Sequence, residues 1–320
     1  MKGINFSTIF LILLLSGCSS APNQPPIRKA HLSEFQNHWV GDTELNHADK
    51  KYALETWVYS VVADRAYLED ETLCLPLNEQ WKEITIDENE FKNMQSNGFY
   101  GQAWHRTVSN GKKELIIAYR GTDGSGDFMY ANFRFFSTKN DDSQFTSSLL
   151  FRDLVIEKAN ANPSLAYDYV TFVGHSLGGG LAQFAQDFTE NSKAYSFNGS
   201  PNRGRLFSLG NPHEEPRNAT RVYEKGEVLR PLRWLLFDFD PSNNENPGEP
   251  GMNTRWIDFY KDSLIANHNM KDFSTALTRL AAFAGDKEAE RVIDYMRERR
   301  LDNVEKHPSH CSINGVITSN

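Results

Sequence analysis

The chain has 320 residues, enough for one large domain or two small ones. It carries 42 acidic against 34 basic residues, a formal charge of -8, and no basic cluster interleaved with aromatics, so nucleic acid is not expected as a partner. Its three cysteines show no zinc-type spacing, and nothing in the composition calls for a metal or another cofactor.

The opening stretch is "MKGINFSTIFLILLLSGC". Lys2 supplies a positive start, and Ile9 to Leu15 is an unbroken apolar run too short to span a bilayer as a mature helix. "LSGC" then resembles the bacterial lipoprotein lipobox, in which the cysteine is acylated and becomes the new N-terminus. Residues 1–17 are therefore read as a signal peptide, and 18–30 as an acylated Cys18 with a polar, proline-containing tether. Residues 31–320 are read as one domain. This places the protein in the cell envelope, anchored to a membrane through lipid. Ser19, where an aspartate would retain the chain, favours the outer membrane over the inner by resemblance to sorting rules. With Cys18 acylated, Cys74 and Cys311 remain; one disulfide and two buried thiols are both open.

Further along, "ALETWVYSVVADRAYL" sets Leu54, Trp57, Val58, Val61, Val62 and Leu68 at helical spacing. "GFYGQAWHRTVSNGKKELIIAYRGT" reads as two strands around an Asn110-Gly111 turn. Asp142 or Ser143 is placed to cap a helix with Phe145, Leu149 and Leu150 on one face, and Pro163 ends that region. "YDYVTFVG" is a short β-rich apolar run, as in a strand buried on both faces. A helix follows the glycines of "LGGGLAQFAQDF", and "KAYSFN" and "ATRVYE" look like further buried strands. Two C-terminal helices are separated by Gly285 as a stop and Asp286 as a cap. Strands alternating with helices imply a mostly parallel sheet with helices on both faces.

"TFVGHSLGGGLAQF" packs four glycines, at 174, 178, 179 and 180, around Ser176. Glycine is costly inside regular elements, so a local constraint must require it. A strand turning sharply into a helix with the serine at its apex is such a constraint. The serine is strained and its hydroxyl exposed, and side chains at 174 and 178 would collide where strand and helix pass. The helix N-terminus then faces negative charge developing beside the serine. Gly174-His175-Ser176-Leu177-Gly178 thus reads as a nucleophile elbow, with Ser176 the nucleophile.

"VTFVGHSLGGGLA", with "IIAYRGTDGS" upstream and "NHNM" downstream, resembles the class 3 lipases, a branch of the α/β-hydrolase superfamily. The shared motifs span roughly Leu54 to Leu280. The resemblance implies an α/β-hydrolase fold, a Ser-acid-His triad in that chain order, and an oxyanion hole made by the N–H of Leu177 and by Thr122 in "YRGT". His268 in "IANHNMKDF" matches the family's histidine loop. Glu227 in "RVYEKGEVLRPL" occupies the place of the family's usual aspartate. Asp238, Asp240 and, before the turn, Glu224 compete for that role. In the family, the region of "DFMYANFRFF" covers the acyl pocket as a lid; plain core packing is the other reading. The implied activity is a serine carboxylic-ester hydrolase acting on lipid esters, as a lipase or phospholipase. A hydrolase of small soluble esters or thioesters, and a non-catalytic lipoprotein that keeps the fold and binds a partner, remain open.

Overall fold

The computed structural model describes residues 47–67, 81–87, 89–90, 94, 98–121, 140–200, 218–224, 226–229, 252–257, 259 and 268–301. The signal and anchor segment with Cys18, the pair Cys74 and Cys311, Thr122, the aromatic run 128–136, Asp238 and Asp240 lie outside them.

Helix α1 (His47–Arg65) precedes strands β1 (Trp81–Glu83), β2 (Gly101–Thr107) and β3 (Lys113–Tyr119). Helix α2 (Asn140–Ala161) leads to β4 (Tyr169–His175), and α3 (Leu177–Asp187) follows after the single residue Ser176. Then come β5 (Ser192–Phe197), β6 (Ala219–Glu224), β7 (Met252–Ile257), α4 (Met270–Phe283) and α5 (Lys287–Leu301). Among the described residues the strands form one sheet of seven in the order β1 to β7. β1, β2 and β3 are antiparallel neighbours, and β3 through β7 run parallel. This is the α/β architecture expected from the alternating elements.

Alternation along the strands builds two cores. Ile116, Ala118 and Val173 face α1, α4 and α5, while Leu115, Ile117, Tyr119, Val170 and Phe172 face α2 and α3. A strand with both faces covered must be apolar on both, which is why β3 and β4 read as continuous apolar runs. The hairpin lies at Asn110-Gly111, with Gly111 at φ +80°. The C-terminal helices break at Gly285, φ +100°, and Asp286 Oδ1 accepts the N–H groups of Glu288 and Ala289 at 2.9 Å each. Asp286 Oδ2 also accepts the indole N–H of Trp57 at 3.1 Å, tying α5 to α1.

Some local expectations differ. Leu54 is 41% exposed, because the buried side of α1 is centred on Ala53, Trp57 and Val61 and Leu54 sits at its margin. Helix α2 starts at Asn140, so Asp142 and Ser143 fall inside its first turn. Phe145 is buried, but Leu150, five residues on and rotated off that face, is 52% exposed. α3 incorporates the glycines instead of following them.

At the foot of the parallel strands lies a buried charge. Glu114 is wholly buried at the start of β3. Its Oε2 accepts from Arg106 Nε at 2.6 Å; its Oε1 accepts from the hydroxyls of Tyr59, at 2.9 Å, and Thr171, and lies 3.3 Å from Lys193 Nζ. Burial by itself would raise the Glu114 carboxyl, but Arg106 and Lys193 outweigh it and hold it below the ordinary glutamate value. Its stabilising contribution is therefore complete above about pH 4.3 and is lost as pH falls through the lower folded value. Glu114→Gln leaves two cations with no buried counter-charge and should lose about 3 kcal/mol in urea unfolding at neutral pH. A variant as stable as the parent, with the same acid unfolding, would contradict this account.

Candidate active site

The C-terminal ends of parallel strands are where an open α/β sheet presents a site. Three sequence-predicted residues come to this edge: Ser176 immediately after β4, Glu227 three residues after β6, and His268 in the turn before α4.

Ser176 takes φ 55° and ψ -125°, a left-handed conformation that a residue with a side chain holds at a cost of about 1–3 kcal/mol. Backbone bonds hold it there. Its N–H donates to the Phe197 carbonyl at 3.1 Å, and its own carbonyl accepts from Gly179 at 3.0 Å and Ser200 at 2.8 Å. The flanking glycines make room. A Cβ on Gly174 would stand 2.2 Å from the carbonyl carbon and oxygen of Gly178, the collision expected from sequence. A Cβ on Gly178 would meet a different neighbour, the Tyr119 carbonyl oxygen of β3, at 2.1 Å. Leu177 opens α3 directly after the serine and is buried, as is His175 before it.

Glu227 and His268 are brought together. The chain leaves β6, turns through Gly226 at φ 76°, and buries the Glu227 side chain completely. Glu227 Oε2 accepts the Leu229 N–H at 2.9 Å and lies 2.7 Å from Nδ1 of His268. His268 is 3% exposed. With Nδ1–H donated to a carboxylate, Nε2 is the ring nitrogen that exchanges protons. Asn269, next in the chain, caps α4 by accepting the Asp272 N–H at 3.0 Å, which fixes the histidine turn to the helix start.

The competitor Glu224 is also wholly buried, but its carboxylate accepts the Phe259 N–H at 2.9 Å and its N–H donates to Asn198 Oδ1 at 2.7 Å. It braces the loops after β5 and β7. Two residues not singled out from sequence complete the described edge. A Cβ on Gly121 would be 3.1 Å from Ser176 Cβ and 2.6 Å from the His175 carbonyl, so the chain leaving β3 runs directly beside the elbow. Tyr67, from the turn closing α1, places its hydroxyl 2.7 Å from Nδ1 of His175. Tyr67 has no spacing signal, since it meets His175 only through tertiary packing, and the approach of Gly121 to the serine is likewise a matter of packing.

A family model matches residues 58–222, just over half of the chain, and describes a Tle-like phospholipase domain. The chain belongs to the Tle-like phospholipase family. By that membership it is a lipase- or phospholipase-like carboxylic-ester hydrolase. The matched span contains the elbow and stops before Glu227 and His268. A search of the curated proteins finds no match. Among solved structures, the chain is similar to a fungal lipase in complex with an inhibitor, at 15% identity over 57% of this chain and 74% of that one, with TM-score 0.39. It is also similar to the extracellular lipase LipA from Serratia marcescens, at 14% identity over 58% of this chain and 41% of that one, with TM-score 0.32. A dienelactone hydrolase from Anabaena variabilis gives 14% identity over 64% of this chain and 96% of that one, with TM-score 0.35.

Gly174→Ala and Gly178→Ala each drive a methyl into backbone, which has no rotamer with which to yield. Each should destabilise the fold by about 2 kcal/mol or more and abolish ester hydrolysis in what remains folded. Thermal unfolding and esterase assay of the purified variants check this; wild-type values for either variant would refute the close packing.

Proposed function

We propose that the protein hydrolyses lipid acyl esters through a Ser176–His268–Glu227 triad and an acyl-enzyme intermediate, in the manner of the class 3 lipases. The observation that carries this reading is the 2.7 Å bond between His268 Nδ1 and the buried Glu227 carboxylate, at the same sheet edge as a strained, glycine-flanked serine. Ser176 Oγ attacks the ester carbonyl carbon while His268 Nε2 takes its proton. Glu227 stabilises the imidazolium so formed and holds the ring in the required tautomer. The N–H groups of Leu177, at the start of α3, and of Thr122, one residue beyond Gly121, receive the oxyanion. His268 returns the proton to the departing alcohol, and water repeats the sequence to release the fatty acid.

The family match and an acylated Cys18 together favour a membrane lipid as substrate, with the aromatic run 128–136 as acyl pocket and lid. Removal of residues 1–17 takes away one lysine and no acid, which moves the charge from -8 to -9. Anionic lipid surfaces repel such a domain, so neutral or zwitterionic lipids are the preferred substrates and the anchor supplies recruitment.

Ser176→Ala should lower kcat by about four to six orders of magnitude with the fold intact, and His268→Ala by about as much, because triad members act as a unit. Glu227→Gln should cost at least about a hundredfold, with Asp238→Asn and Asp240→Asn near wild type. If the last two abolish activity and Glu227→Gln is silent, the acid is misplaced. For substrate class, the rate of the full chain on phosphatidylcholine dispersions is compared with that on a two-carbon acyl ester. A marked gain on the dispersed lipid supports the reading; turnover confined to short soluble esters replaces it with a small-ester hydrolase.

A further inference from the structure

The Glu227 carboxylate holds His268 through Nδ1. A second contact comes from another ring. His175 lies with its centroid 4.7 Å from that of His268 and the planes at 43°. It is the last residue of β4, 5% exposed, and its Nδ1 is 2.7 Å from the Tyr67 hydroxyl. Tyr67 is itself held at the end of α1, where its N–H donates to the Asp64 carbonyl at 3.0 Å. The hydroxyl reaches this place because Gly121 has no side chain: a Cβ there would be 2.3 Å from it. The end of α1, the chain leaving β3 and the elbow therefore meet around one phenol, and the histidine turn packs on the His175 ring.

We propose that Tyr67 and His175 are positioning residues for acyl transfer. Tyr67 donates its proton to Nδ1 of His175, which holds that ring uncharged with its own proton on Nε2, and the uncharged ring sets the plane of His268 beside Ser176. The inference rests on the Ser176–His268–Glu227 reading. In acylation, Oγ bonds to the carbonyl carbon, its proton passes to His268 Nε2, and that ring becomes a cation. A second positive ring at van der Waals range would oppose this step. A phenol keeps its proton throughout the neutral range, so it serves as donor wherever the enzyme works. A hydrogen bond given to the neutral imidazole favours the neutral form.

Other charged and titratable groups among the described residues lie on the elements that carry the pair and its phenol. Glu227 stands behind His268, and Asp64 at the end of α1 accepts the Ser274 hydroxyl of α4 at 3.2 Å. Arg65 adjoins Asp64, and Arg120 at the end of β3 lies over the Tyr100 ring at 5.0 Å. The neighbour of His175 on β5 is Phe197, which does not titrate.

The test uses the full chain and a soluble p-nitrophenyl ester, with kcat and KM measured between about pH 5 and 9, the range in which histidine changes charge. Tyr67→Phe should lower kcat about tenfold with KM within about twofold of the parent. Its acid limb should move to higher pH and steepen, because His175 can then take a proton. His175→Asn should lower kcat while keeping a single-ionisation acid limb, and adding Tyr67→Phe to it should change nothing further. Tyr67→Phe with wild-type kcat and acid limb overturns the inference, and so does an equal effect of Tyr67→Phe with and without His175. If Tyr67→Phe does not fold by circular dichroism, His175→Asn decides: wild-type kcat in that variant overturns it. His268→Ala separates the two levels. If it stays active, the triad reading falls and takes the inference with it. If it is inactive while Tyr67→Phe is silent, only the inference falls.

Discussion

The backbone of Gly178 lies where a side chain on Gly174 would have to be, and the rest of the candidate site depends on that contact. It permits β4 to pass into α3 with a single residue between them, and that residue is Ser176. The turn forces φ 55° on the serine. Strand β5, the first turn of α3 and the loop after β5 then hold it through backbone bonds, so the strain is countered by main-chain groups. The second glycine brings α3 against the Tyr119 carbonyl, which sets the helix beside the chain leaving β3.

One helix serves both ends of the sheet. Near its middle, α1 sends the Tyr59 hydroxyl into the Glu114 cluster at the foot of the strands; at its end, Tyr67 reaches His175 at the opposite edge. Trp57, two residues before Tyr59, binds the cap of α5. Loss of the buried charge cluster would therefore be felt as a shift of α1, and α1 ends at the site. The cluster itself is saturated, with Arg106, Lys193, Tyr59 and Thr171 all committed to Glu114, which marks it as a structural anchor.

Elements whose stabilising chemistry is local were legible in the sequence. The Asn110-Gly111 hairpin, the Gly285-Asp286 break and the glycine pattern at the elbow are each dictated by residues within a few positions of one another. Where partners are distant, legibility failed. Strand β7 was not picked out from the sequence, and its Arg255 is buried because Asp49 of α1, more than two hundred residues away, meets it at 2.6 Å. Exposed Leu54 and Leu150 show the converse, apolar residues at the edge of a stripe whose width only packing decides. At the site, the serine and histidine stood out by motif. Glu224 and Glu227, both buried, are told apart by a contact that only the fold supplies: Glu224 accepts the Phe259 N–H, and Glu227 meets His268. Tyr67 gave no signal, since nothing near it in the chain resembles a catalytic pattern; Gly121 lay inside the "YRGT" motif, but its contact with the elbow shows only in the packing.

Labelling with a fluorophosphonate followed by peptide mapping tests the central claim most directly, because the reagent phosphonylates a serine only where a base and an oxyanion hole activate it. The account predicts one label per chain, on Ser176, with phospholipid hydrolysis lost in proportion to labelling and no label on Ser176→Ala. Label on another residue, or full hydrolysis by protein whose Ser176 is modified, would contradict it.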